Sequence, residues 1–313
     1  MDNKIIVRIS NELGNQMFMY ASSYGIAKNL KRLLLIDDES AFLSRKNISK
    51  YGLHGFNISC DIAGEEYKFL GFKGYLKRKI LKIIDFFIKK KIFYIEPKDL
   101  NKITKFNDKI YNLSLSNNIY LEGYFETEKY FNHIKENIQK EFTFLNAKKY
   151  EKSPFFNMLN EKNSVSICLR QNRFIEGKNK NSELNQNKSN QFRDEQINYI
   201  NRSIDYIKKN THNPSFYLWS NDLINLDISM FNYKITKVTH DSNFLSGIDK
   251  RMLDLYLISQ CNHHIVIPSS FNWWGAWLSQ KNNKIICRPE NSFFTNFKIN
   301  NLDFWPSNWI NIS

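Results

Sequence analysis

Cysteine is scarce in this chain, and the four present stand apart. Cys60, Cys168, Cys261 and Cys287 form no Cys-x-x-Cys pair, which argues against a structural zinc site or a disulfide framework and fits a reducing compartment. No stretch approaches the about 18 uninterrupted apolar residues that a membrane-spanning helix needs. Met1-Asp2-Asn3-Lys4 runs straight into the strand-like Ile5–Ile9, without the charged lead and apolar core of a signal peptide. A soluble, cytoplasmic chain is the expectation. Zinc-finger, RNA-recognition and basic-zipper patterns are missing, so nucleic acid is not an expected partner.

Acidic residues are also in deficit. Against 45 Lys and Arg stand 31 Asp and Glu, a formal net charge of +14. Such an excess favours an anionic partner, whether nucleotide, nucleic acid or acidic membrane surface. Part of it is compositional, since AT-rich coding sequences favour Lys, Asn and Ile. At 313 residues and 42% hydrophobic content, the chain can hold real cores, in one large α/β domain or in two of about 150 residues.

In order along the chain, residues 4–9 read as a buried strand, 15–30 as a helix and 33–36 as a second strand, a βαβ opening. The turn Asn11-Glu12-Leu13-Gly14-Asn15-Gln16 lacks the glycine spacing of a dinucleotide fingerprint, and Gly14 is its conformationally free residue. About Tyr75 to Ile88 the spacing predicts a helix with Lys77, Arg78, Lys79 and Lys82 to one side. It reads either as a helix resting on an anionic leaflet or as an ordinary surface helix with solvated lysines. A strand at 119–125 leads to a helix near 128–142. The polar run 146–163 marks a boundary, giving domains 1–155 and 156–313. The second half opens with the strand Val165–Arg170, then a polar stretch, Asn172 to Asn190, expected as a mobile lid-like loop. A helix over 194–209 and strands at 216–219, 234–239 and 284–287 follow, and the strand 216–219 ends in Ser220-Asn221-Asp222. Alternating strands and helices indicate a parallel, doubly wound sheet.

The stretch Arg251–Trp277 packs a helix ending near Cys261, a short strand Ile265–Ile267 and a new helix from Ser269 or Ser270. A strand-to-helix turn presents unpaired N–H groups and the positive end of the helix dipole. Ser269 and Ser270 there serve either as a phosphate cradle or as plain N-caps. His263 and His264 flank the strand, and alternation sends neighbours to opposite faces, against a metal site with Cys261.

Two runs resemble a known family. Leu13-Gly14-Asn15-Gln16-Met17-Phe18-Met19-Tyr20-Ala21 is similar to the opening motif of bacterial α-1,2-fucosyltransferases, glycosyltransferase family 11. The run from His263 to Leu278, with Ser269-Ser270-Phe271-Asn272-Trp273-Trp274-Gly275-Ala276-Trp277-Leu278 at its end, resembles that family's second block. The two sit near opposite ends, so the resemblance spans almost the whole chain. There are departures. Asn11 and Glu12 stand where the family usually has glycines. The family's His-x-Arg-Arg-x-Asp appears as Cys168-Leu169-Arg170-Gln171-Asn172-Arg173, in which Arg170 alone keeps its place.

The resemblance implies a GT-B architecture, two Rossmann-like domains facing across a cleft. It implies an inverting enzyme that uses GDP-fucose, needs no metal or other cofactor, and builds surface polysaccharide of the O-antigen type on the 2-hydroxyl of a galactose-containing oligosaccharide. That acceptor could be lipid-linked, with peripheral contact of the protein at the inner leaflet. Arg170 would meet the charge on the leaving diphosphate, helped by Arg173. Ser269, Ser270 and Phe271 would hold the diphosphate with hydroxyl and N–H groups, and Asp254 would read guanine. Gly14, Asn15 and Gln16 would touch donor or acceptor, and Asn221 and Asp222 line a strand end. Glu12, Glu176 and Asp222 are the acidic candidates for general base. The altered central motif leaves other readings open, a nucleotide-sugar- or glycan-binding protein with impaired catalysis or a glycosyltransferase of different linkage.

Overall fold

The structure is a computed structural model that describes residues 3–42, 50–98, 105–176, 182–296 and 303–313. It divides into two compact units, Met1–Leu145 with Leu302–Pro306, and Asn146–Asn301 with Ser307–Ser313.

The first unit contains β1 (Lys4–Arg8), α1 (Leu13–Asn29), β2 (Leu33–Asp37), α2 (Gly71–Phe87), β3 (Lys91–Ile95), β4 (Leu115–Glu122) and α3 (Lys135–Glu141). Its sheet runs β2-β1-β4-β3, and every pair is parallel. Ile5, Ile6 and Val7 of the inner strand are all buried, the uninterrupted apolar pattern of a strand covered on both faces. α1 is buried nearly all round. Its Gly25 lies so close to the Tyr130 carbonyl that a Cβ would sit 2.1 Å from that oxygen.

The second unit contains α4 (Ala147–Tyr150), α5 (Phe156–Asn160), β5 (Ser164–Leu169), α6 (Glu183–Asn210), β6 (Ser215–Ser220), β7 (Ile235–Lys237), α7 (Lys250–Gln260), β8 (His263–Ile265), α8 (Ser270–Leu278), β9 (Ile286–Pro289) and β10 (Ile310–Ile312). The sheet order is β10-β9-β8-β5-β6-β7, again parallel throughout. Counted from β5 and read from β7, this is the 3-2-1-4-5-6 order of the dinucleotide-binding fold, with its topological switch point between β5 and β8.

Several expectations shift. The second unit starts at Asn146 rather than 156, because Tyr150 and Phe156 pack on Tyr256 of α7, and the Tyr256 hydroxyl donates to Glu151 at 3.0 Å. The expected lid Asn172–Asn190 is partly helix. Ser182 caps α6 by accepting from Asn185 N–H, and Ser189 and Phe192 are buried beneath a solvated polar face. Residues 177–181 of that stretch lie outside the described residues. The strand of the Arg251–Trp277 stretch is His263–Ile265, two residues earlier than expected, and β9 begins at Ile286 rather than 284. The helix expected near 128–142 resolves into two 3-10 turns followed by the short α3. Gly14 is an ordinary buried residue of α1. The left-handed position of that turn is Asn11, at φ 62, a conformation Asn tolerates better than most residues.

Trp273, Trp274 and Trp277 are buried, as packing against the sheet requires, and Trp309 joins their cluster 5.5 Å from Trp273. Between them Gly275 lets α8 approach α7, since a Cβ there would meet Ile258 Cγ2 at 2.4 Å. Gly275→Val is expected to lower stability by about 1–3 kcal/mol, the usual cost of overpacking, read as a reduced urea midpoint with an unchanged m-value.

Candidate functional site

The carboxyl ends of β6, β5 and β8 stand side by side at the switch point. In register, Leu169 lies opposite Ser220 and Ile167 opposite Ile265, so Arg170 follows β5 between the Asn221 end and the Pro268-Ser269 end. Two side-chain amides hold this strand tip. Gln196 of α6, fully buried, accepts from Arg170 N–H at 3.0 Å and donates to Arg170 C=O at 2.9 Å. Asn221 does the same for the next residue, accepting from Gln171 N–H at 2.7 Å and donating to its C=O at 2.9 Å. Each amide takes the part of a missing ladder strand, satisfying the backbone on both sides of the arginine.

The Arg170 side chain points to a half-open surface, 41% exposed, where it is paired with Glu176. Glu176 also accepts from Asn221 at 3.2 Å. An exposed pair of this kind contributes only about 0–1 kcal/mol. A guanidinium carries five N–H donors, so an incoming phosphate can take this one at small cost.

On the other side of the switch point, Ser269 is the N-cap of α8 with extended backbone (φ −152), and its hydroxyl makes no capping bond. The plain-cap reading therefore lacks its hydrogen bond. Ser270 and Phe271, half-buried, open the first turn, at the positive end of the helix dipole, which favours an anion.

Asp254 lies on α7 as an electrostatic neighbour of Cys168, which stands opposite Trp219 in register. Its carboxylate is paired with Lys250, while Oδ1 is buried without a hydrogen-bond partner. Burial raises its pKa above the usual range, against the opposing pull of Lys250 and the Trp219 indole.

The altered central motif has a structural account. Burial holds the Cys168 thiol well above its usual pKa, leaving it a small apolar side chain in the core. Gln171 is buried and ties β5 to β6 through Ser220 Oγ at 3.1 Å and the Asp222 carbonyl. Neither side chain carries a charge. Arg173 lies over the Phe192 ring at 5.8 Å, a cation–π distance. Asp222 is held below the usual carboxylate range by the side chain and N–H of Asn225, which makes it a weaker base. Glu12 is exposed at the N-cap of α1.

The first unit has a switch point of its own, between β1 and β4. Asn11 donates to the Tyr124 hydroxyl at 2.6 Å and Asn15 to Glu126 at 2.9 Å. Tyr124 and Glu126 were missed in the sequence, for they follow a strand with no motif around them. Gln16 is fully buried. Its amide donates to Asn11 C=O at 2.6 Å and Lys50 C=O at 2.8 Å and accepts from Gly52 N–H at 2.8 Å, so it shapes the turn. Gly14 is buried in the same turn.

His263 and His264 are core residues. His263 Nδ1 accepts from Ile285 N–H at 3.0 Å, and His264 Nδ1 meets Ser166 Oγ at 2.8 Å. Burial lowers both pKa values, that of His264 strongly. Among the described residues, no group of three His, Cys, Asp or Glu is placed to hold a metal ion. No described helix is long and apolar enough to cross a membrane.

Two parallel Rossmann-like units, one with an anion-suited edge at its switch point, are the build of the GT-B glycosyltransferases. The chain belongs to glycosyl transferase family 11, whose profile matches residues 2–313. An alpha-1,2-colitosyltransferase of Escherichia coli is 27% identical over 98% of both chains. The O-antigen biosynthesis glycosyltransferase WbnK of Escherichia coli is 24% identical over 97% of this chain and 99% of its own. Among solved structures, the fucosyltransferase NodZ from Bradyrhizobium matches 88% of this chain and 93% of its own, with a TM-score of 0.52 at 15% identity. NodZ alpha-1,6-fucosyltransferase soaked with GDP-fucose gives 0.51 at 14% identity, over 89% and 93%.

Gln196→Leu strips both partners from the Arg170 backbone. It is expected to destabilise by about 2 kcal/mol through unsatisfied polar groups, measured by urea unfolding. The histidines set an acid limit. The unfolded chain binds their protons near pH 6.5, whereas the folded chain resists them. Stability should be full above that pH and fall as pH drops through it. Thermal melts of wild type and His264→Asn check this, with the slope shallower in the variant.

Proposed function

We propose that the chain transfers a fucose-type deoxyhexose from its GDP derivative, with inversion, to the 2-hydroxyl of a galactoside during bacterial O-antigen assembly. The observation that carries this reading is Arg170, clamped on both sides of its backbone at the switch point beside the uncapped Ser269 turn. Departure of GDP leaves negative charge on the β-phosphate. A guanidinium carried on a clamped backbone and the N-terminus of α8 stabilise that charge. The acceptor oxygen forms its bond to the anomeric carbon as the bond from that carbon to the phosphate oxygen breaks, and the electron pair leaves with GDP. The hydroxyl proton passes to a carboxylate base, a role we assign to Glu176 beside Arg170. Asp254, with a buried unsatisfied oxygen, is suited to the N1–H and N2–H donors of guanine. The amides and carboxylate at the first unit's switch point are suited to saccharide hydroxyls. We assign charge neutralisation to the protein's own cations and expect no metal requirement.

The two Escherichia coli relatives support the O-antigen setting and the 1,2 linkage, and the NodZ likeness supports the fold. Colitose is fucose lacking one hydroxyl, so both donors belong in the test. GDP release and product formation should be followed with GDP-fucose and GDP-colitose on β-galactosides. Transfer from one of them is expected, unaffected by EDTA, with kcat lowered about 100- to 1,000-fold in Arg170→Ala. GDP binding by calorimetry with no transfer from either donor would sink the enzymatic reading and leave a binding protein.

A further inference from the structure

α2 is mounted inside out. An ordinary surface helix turns its apolar stripe to the core and its charges to water. In α2 the inward positions are Gly74, Arg78, Leu81, Lys82 and Asp85, spaced three and four apart, and every other residue from Gly71 to Phe87 is exposed. Arg78 and Lys82 both bind the buried Glu122 carboxylate at the end of β4. Asp85 accepts from Ile92 N–H at 2.5 Å and Phe93 N–H at 3.2 Å. Leu81 packs against the cluster of Phe69, Phe93 and Tyr120. The helix is thus fixed by its charged face.

Its outward face carries Phe72, Leu76, Ile80, Ile83 and Phe87, with Phe72 and Phe87 each 79% exposed. At 100° per residue these five fall in one stripe, with Lys79 along one edge and Lys73 and Lys77 along the other. Lys89 and Lys90, also exposed, come one residue beyond the helix, after Ile88.

We infer that this face of α2 docks on an anionic phospholipid leaflet, the apolar stripe entering the acyl boundary and the lysines meeting the headgroups. Apolar and aromatic residues bordered by lysine are the composition of interfacial helices, and the net charge of +14 matches an acidic surface. A second copy is a poor occupant, since pairing the two stripes would set lysine rims of one sign against each other.

Vesicle flotation of the full chain tests this without donor or acceptor, so its outcome is independent of the transfer reaction. The wild type should float with phosphatidylcholine–phosphatidylglycerol vesicles, most strongly at low salt, and stay behind with phosphatidylcholine alone. Phe72→Ser with Ile83→Ser and Phe87→Ser retains every charge and should lower partitioning at least about tenfold. Removing Lys73, Lys77 and Lys79 as glutamines should cost about fivefold each. Circular dichroism and urea midpoints matching wild type show that the variants fold. The inference is overturned if wild type fails to bind the anionic vesicles, or if the serine variant floats as well as wild type. It is equally overturned if light scattering finds a wild-type dimer that the serine variant abolishes, which makes a second copy the occupant.

Discussion

The second unit depends on how a strand ends. β5 is one of the two central strands, and beyond Leu169 the ladder has no backbone left to pair with. Gln196 from α6 and Asn221 just after β6 supply amide groups in its place, one on each side. Buried peptide groups cannot go unpaired without a penalty of about 1–3 kcal/mol each. The arrangement therefore fixes the backbone of Arg170 while leaving its guanidinium at the surface. A charge anchored on a fixed backbone suits a developing diphosphate anion, since its point of attachment is in place before the charge appears.

The first unit solves a related problem with the same chemistry. Its strand-to-helix turn relies on Asn11 in a left-handed conformation, and the Gln16 amide joins that turn to the Lys50–Gly52 segment. A pair of carboxamides, rather than glycines and charges, sets each edge. This accounts for part of the divergence from the family pattern. Asn11 keeps the backbone shape that glycine would give, and Gln171 acts as a strut between two strands rather than as a lost cation.

Much of the fold was legible because period and composition carry it. Apolar β-branched runs such as Ile5–Val7 and Val165–Leu169 mark strands covered on both faces, and the strand–helix alternation marks a parallel sheet. Family membership was legible in two motif blocks. Less visible was whatever depends on contacts distant in sequence. Ser182 starts a helix in a run that reads as polar loop, since its exposed face makes no apolar pattern. Gln16, expected at a ligand, is consumed by backbone groups 34 and 36 residues away. Tyr124 and Glu126 gain their positions only when β4 lies beside β1. The lysine-rich spacing of α2 was visible, but its orientation was not, because Glu122, the carboxylate that draws its cations inward, is distant in sequence.

The chain passes from the first unit to the second near residue 146, returns for Leu302–Pro306, and leaves again for β10. In that return, Asp303 accepts from Lys129 and from Phe106 N–H at 3.1 Å, while the Phe304 ring lies 6.1 Å from that of Phe18. Domains made on the ribosome commonly fold as they emerge, the N-terminal one first. Here the first unit must wait. The Phe18 and Lys129 side chains and the Phe106 N–H meet their partners in this segment only after β5 to β9 have been synthesised, so the unit begun first is finished late, and completion of the two is coupled in time by the order of translation.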